Sequence, residues 1–114
     1  MNRAEPIERS NAEAWASWFR ALSDPTRVLI LHLLSTSDAP LTVGEITGRL
    51  DVGQSTISHH LAKLAEVGFV LADQRGASSL WRVNERCLTR FPSAVDVVMG
   101  RIPTAFTDAL EHAR

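Results

Sequence analysis

With 114 residues, 45% apolar and 22% charged, the chain has the length and balance of one ordinary globular domain, which excludes a disordered tail. No apolar run approaches the ~20 residues of a membrane span, and a net charge of −1 gives no bulk signal for nucleic acid. The opening MNRAEPIERSNAE lacks an apolar signal core, and one cysteine, Cys87, cannot form an internal disulfide, so the expected location is cytoplasmic.

Residues 1–10 are polar and are expected to be a disordered segment. From Asn11 onward, Ala12, Trp15, Ala16, Phe19 and Leu22 recur at the spacing of one helical stripe. Ser23-Asp24-Pro25 ends that helix and starts the next, with Asp24 as N-cap and Pro25 at the first helical position. Val28 to Leu34 is apolar nearly all round, which predicts a helix buried on most sides with His32 in the core. Ser35 to Pro40 reads as a polar turn.

Thr42-Val43-Gly44-Glu45 has the form of a capping box, in which the threonine hydroxyl and the glutamate carboxylate each take a free N–H of the new helix. Val43, Ile46 and Leu50 form its apolar face. Asp51-Val52-Gly53 is a three-residue turn, after which Ile57, Leu61, Leu64 and Ala65 give a second short stripe that Gly68 closes as a C′ glycine. Two short helices joined this way make a helix-turn-helix. Phe69 to Gln74 and Ser78 to Val83 then read as strands joined through Arg75-Gly76-Ala77. A hairpin directly after a helix-turn-helix is a wing. Beyond Asn84, Leu88, Phe91, Val95 and Val98 share a helical face, with Pro92, Gly100 and Pro103 expected to break the region into short pieces. A last stripe follows from Ile102 through Ala105, Phe106, Ala109 and Leu110 to Ala113.

With Ile57, Leu61 and Leu64 facing inward, the second helix of the pair turns Gln54, Ser55, Thr56, Ser58 and His59 outward, while His60 falls closer to the core. Short hydrogen-bonding side chains on the first turns suit the major groove, since they offer donors and acceptors without blocking close approach. Residues 71–90 carry Arg75, Arg82, Arg86 and Arg90 against Asp73 and Glu85, so the positive surplus is local to the wing. Lys63, Arg75 and Arg82 are expected to neutralise phosphates there.

Ala21-Leu22-Ser23-Asp24-Pro25-Thr26-Arg27, the helix from Leu41 to Leu50, the string Gln54-Ser55-Thr56-Ile57-Ser58-His59-His60-Leu61, then Gly68 and the hairpin together resemble the ArsR/SmtB family of small bacterial winged-helix repressors. The resemblance covers about residues 12–84. It implies a homodimer joined through its terminal helices, here offering Trp15, Trp18, Phe19, Phe106 and Leu110, and a double-stranded operator of inverted-repeat form. The family's arsenic site has two cysteines at the positions held here by Thr42 and Gly44, so that site is expected to be missing. The family's C-terminal zinc or nickel pattern maps to Asp96, Val98, Ala109 and His112, of which only Asp96 and His112 could ligate. No metal and no cofactor are therefore expected.

The expected fold is mainly α with a small β-hairpin wing, a winged helix-turn-helix dimerising through its N- and C-terminal helices. Its divisions are a segment over 1–10, the DNA-binding domain over 11–90 and a helical dimerisation segment over 91–114. The expected function is a sequence-specific DNA-binding repressor, not an enzyme: Ser58 beside His59 and His60 is no triad, because neighbours on a helix face different ways. Two alternatives are a winged-helix protein–protein module without DNA binding, and a redox-sensing repressor in which the nearby arginines lower the pKa of Cys87.

Overall fold

A computed structural model describes residues 6–102. The elements in chain order are α1 (Arg9–Ala21), α2 (Pro25–Thr36), α3 (Val43–Leu50), α4 (Gln54–Glu66), β1 (Val70–Arg75), β2 (Ser78–Val83) and α5 (Glu85–Val98). They fall into two compact units, one combining residues before Arg20 with those from Glu85 onward, the other running from Arg20 to Asn84.

The unit from Arg20 to Asn84 is a winged helix-turn-helix. Asp24 caps α2, its Oδ1 accepting from the backbone N–H of Thr26 at 2.8 Å and of Arg27 at 3.3 Å, with Pro25 at the first position where no amide is needed. The capping box of α3 is complete: Thr42 Oγ1 accepts from the Glu45 amide at 3.1 Å, and Glu45 Oε1 accepts from the Thr42 amide at 2.9 Å. Asp51 ends α3 with φ 54°, a left-handed conformation that Asp tolerates better than most side chains. At the end of α4, Gly68 takes φ 83°, its amide bonding Ala65 O and the Phe69 amide bonding Leu64 O, the two bonds of a Schellman motif. Ile30, Ile46, Ile57, Leu61, Leu64, Phe69 and Val70, drawn from α2, α3, α4, the first strand and the residue just before it, are fully buried. Each such side chain contributes about 1.5–3 kcal/mol over its exposed state.

β1 and β2 pair antiparallel from Val70↔Val83 to Arg75↔Ser78, leaving Gly76 and Ala77 as the loop, with Gly76 at φ 59° as primed hairpin turns require. A further pairing was not expected: Leu41 exchanges both backbone hydrogen bonds with Trp81, at 3.0 and 2.7 Å, tying the start of α3 to the wing. Two expectations for α2 are corrected. Only Ile30 and Leu34 of that helix are buried, whereas Val28 and Leu29 are about half exposed at 48% and 52%, and His32 is exposed rather than in the core. The helix packs through one face, so apolar character all round did not mean burial all round.

In the other unit, the inward face of α1 is Asn11, Trp15 and Trp18, and the alanines of the expected stripe, Ala12 and Ala16, lie exposed with Phe19. The indoles outcompete the smaller side chains for the interior because they remove more apolar area from water. Cys87, Ala94 and Val97 are the buried residues of α5. The rings of Trp18 and Phe91 lie 6.1 Å apart and those of Phe19 and Phe91 5.3 Å apart, while the Arg90 guanidinium sits 5.7 Å from the Trp18 ring. Contrary to expectation α5 is not broken at Pro92 but runs through it to Val98. The helix forgoes one hydrogen bond there and ends only where Gly100 turns at φ 75°. No described helix is long and apolar enough to cross a membrane.

Candidate nucleic-acid interface

α4 is positioned by burial of Ile57, Leu61 and Leu64, each fully inaccessible, and that register turns Gln54, Ser55, Thr56, Ser58, His59 and Lys63 to the surface. Gln54, Ser55, Thr56, Ser58 and His59 are the five residues the periodicity turned outward, and Lys63 joins them on the surface. The N-terminus of this helix differs from its neighbours. Its N-cap is Gly53, extended at φ −59°, ψ 150°, with no side-chain cap and no acidic residue in the first turn. The first amides of α4 therefore have no capping side chain over them, and no acidic residue of the first turn offsets the positive end of the helix dipole.

The wing supplies the cationic residues. Arg75 lies exposed at the end of β1 beside the Gly76–Ala77 loop and, among the described residues, makes no ion pair. Arg82 donates Nε–H to Asp73 Oδ2 at 2.9 Å across the hairpin, with both side chains about half exposed. Lys63 is 3.7 Å from Glu66 on the surface of α4. Exposed pairs of this kind are worth about 0–1 kcal/mol, so Arg82 and Lys63 can exchange these partners for a phosphate at small cost.

A cluster not foreseen from the sequence joins α2 to α4. The Arg27 guanidinium lies 3.2 Å from His60 Nδ1 and its Nε–H donates to the Ala21 carbonyl, while His60 Nε2 is 3.8 Å from Asp24 Oδ1. Burial of Asp24 works to raise its pKa, but the backbone N–H donors of Arg27 and Thr26, with the Arg27 charge behind them, outweigh it and hold the carboxyl below its ordinary value. The one available signal was that Asp24, Arg27 and His60 all sit in the strings that carry the family resemblance.

The family's thiolate metal site does not fit this chain. Thr42 Oγ1 is committed to the Glu45 amide, Gly44 carries no side chain, and a single cysteine cannot supply the soft ligands trivalent arsenic requires. Asp96 lies 3.7 Å from Arg101, His112 falls outside the described residues, and no described group of three or more His, Cys, Asp or Glu could hold a metal ion. The expected activation of Cys87 is reversed: the residue is 5% exposed, and burial pushes its thiol up to about 11, with the Arg90 charge offsetting only part of that rise. Of the residues expected to form a dimer contact, Trp15 and Trp18 are buried within the single chain, Phe19 keeps 41% of its surface, and Phe106 and Leu110 lie outside the described residues.

A sequence profile of the bacterial regulatory proteins of the arsR family matches residues 24–71, the span from the cap of α2 to the first strand. The HTH-type transcriptional regulator NmtR of Mycobacterium tuberculosis is 33% identical over 76 residues, 67% of this chain but 62% of that protein, so the match spans less than two thirds of the relative's length. The transcriptional repressor SdpR of Bacillus subtilis is 34% identical over 70 residues, which take in 61% of this chain and 76% of the relative. Among solved structures, the homodimeric winged helix-turn-helix DNA-binding domain of a possible ArsR-family regulator from Mycobacterium bovis matches with a TM-score of 0.65 at 26% identity, covering 86% of this chain and 91% of that one.

Proposed function

The chain belongs to the ArsR family of bacterial regulatory proteins, and from that premise we propose that it is a DNA-binding transcriptional repressor acting in the cytoplasm as a homodimer on an inverted-repeat operator. The observation that carries this reading is the exposed N-terminal half of α4, where an uncapped helix end and five short polar side chains form one accessible edge. Gln54, Ser55, Thr56, Ser58 and His59 enter the major groove. The N-terminal amides of α4, with Lys63, Arg75 and Arg82, take phosphates on either side. The solved relative described as a homodimeric DNA-binding domain supports the two-fold assembly. So does the exposed face of α1, where Ala12 and Ala16 lie open and Phe19, edge-on to Phe91 at 5.3 Å, still keeps 41% of its surface. Two copies related by a two-fold axis require half-sites centred ~10 bp, or a small multiple, apart.

Selection of bound duplexes from a random pool tests the proposal directly. The expected product is an inverted repeat whose binding weakens steeply as salt rises, because the phosphate contacts release counterions. A pool that shows no enrichment, with any residual association indifferent to salt, would overturn it in favour of a protein-binding module.

A further inference from the structure

The Arg27–His60 contact spans 33 residues of sequence and joins α2 to the helix whose outer face carries the reading edge. Its chemistry has one direction. A guanidinium has only donors, so His60 Nδ1, 3.2 Å from Arg27 Nη1, must be the acceptor, and the neutral ring then carries its proton on Nε2, on the side of Asp24. Three further contacts hold the donor in place. The backbone amides of Thr26 and Arg27 bind Asp24 Oδ1, and the Arg27 side chain is anchored to the Ala21 carbonyl. The His60 side chain is 12% exposed, and its ring meets that of His59, the next residue on the reading face, at 5.7 Å.

Apolar packing of Ile57, Leu61 and Leu64 sets how close α4 lies to the rest of the unit, but hydrophobic burial is itself non-directional. A hydrogen bond between side chains of two helices is directional and removes that freedom. We propose that Arg27 and His60 are positioning residues for DNA reading, a clamp that fixes the rotation of α4 and hence the aim of Ser55, Ser58 and His59 at base edges. This inference rests on the DNA-reading role proposed above.

The test uses the full chain, the duplex recovered by selection and an unrelated duplex of equal length. Nitrogen-15 spectra of the free protein should show His60 as the Nε2–H tautomer. His60→Asn, whose amide oxygen can stand where Nδ1 stands, should keep the preference for the selected duplex. His60→Leu and Arg27→Gln should each lower affinity for it about tenfold or more while changing affinity for the unrelated duplex about twofold or less. Loss of folded protein would lower both affinities together, so the ratio separates aim from stability. If His60→Leu does not fold, His60→Gln replaces it: its longer side chain carries the oxygen past Arg27, and it should lose the preference that His60→Asn keeps. An Nδ1–H tautomer, or an unchanged ratio in the Leu, Gln and Arg27 variants of a wild type that does select DNA, overturns the clamp alone. A wild type that enriches no duplex overturns the DNA reading, and the clamp's purpose falls with it.

Discussion

The two helices of the helix-turn-helix begin in opposite ways. α3 opens with a closed capping box, Thr42 and Glu45 each taking an amide of the other, and Glu45 adds a negative charge at the positive end of the dipole. α4 opens on Gly53, with no side chain over its first amides and no acid in its first turn. Both ends face solvent, and both helices bury an apolar stripe in the same core. Helix stability alone would favour a cap on each, since replacing a capping side chain by one that cannot cap costs about 1 kcal/mol. The difference therefore separates a helix closed on itself from one whose first amides are open, as the proposed phosphate contact requires.

The largest test of that contrast is to close the open end. Gly53 has nothing within 4 Å of where a Cβ would stand, and its φ of −59° suits any residue, so Gly53→Asp should fold as well as the parent or slightly better. Binding to the selected duplex should nevertheless fall by several kcal/mol, because the new carboxylate faces phosphate. Thermal melting and a binding isotherm on the same sample check both halves, and unimpaired binding would show that the open end has no part in recognition.

A smaller effect divides the reading edge from the wing. Ser55→Ala should cost about 1–3 kcal/mol on the selected duplex and relax preference at one base position. Arg75→Ala should weaken all sequences about equally and make the salt slope shallower by about one ion. Competition against singly substituted duplexes at several salt concentrations distinguishes them, and identical profiles would remove the division of roles.

Opening the closed end gives a third contrast. Thr42→Ala should lower stability by about 1 kcal/mol and leave the ratio of specific to non-specific DNA affinity unchanged, as measured by denaturant unfolding and by competition binding. The smallest effect is in pH. Glu45 is held below its ordinary value of 4.5, first by the backbone N–H of Thr42 and then by its hydroxyl, and Asp24 is held below 3.8. The ionised forms of both thus favour the folded state. Their contribution is complete above the ordinary carboxylate values and is lost as pH falls through the lowered ones. Thr42→Ala keeps the backbone N–H and removes only the hydroxyl, so its acid unfolding should show slightly less dependence on pH in that window than the parent. An equal dependence would mean that the backbone N–H alone holds Glu45 in its stabilised state.

Much of this molecule was legible locally. The caps at Asp24 and Thr42, the turn at Asp51-Val52-Gly53, the glycine at Gly68 and the hairpin loop at Gly76 are each decided within four or five residues, by which amides lack partners and which residue can take a positive φ. The outer face of α4 was legible for a similar reason: Ile57, Leu61 and Leu64 leave one way for a helix to turn, and the exposure of Gln54, Ser55, Thr56, Ser58 and His59 follows.

What depended on distant partners was not. Periodicity set Ala12, Ala16 and Phe19 beside Trp15 in α1, yet the interior took Trp15 with Trp18 and left the other three exposed, although Phe91 meets the rings of both Trp18 and Phe19. The arginines near Cys87 suggested an activated thiol, but proximity in sequence says nothing about burial, and burial is the larger influence. The pairing of Leu41 with Trp81 and the contact of Arg27 with His60 join residues far apart in the chain, with no local pattern to announce them. Composition and short-range hydrogen bonding thus determined by themselves that this chain forms a winged helix-turn-helix with a polar outer face on α4. Only the tertiary structure decided which apolar faces are covered and which side chains of α2 meet α4, since both depend on partners that the fold alone brings within reach.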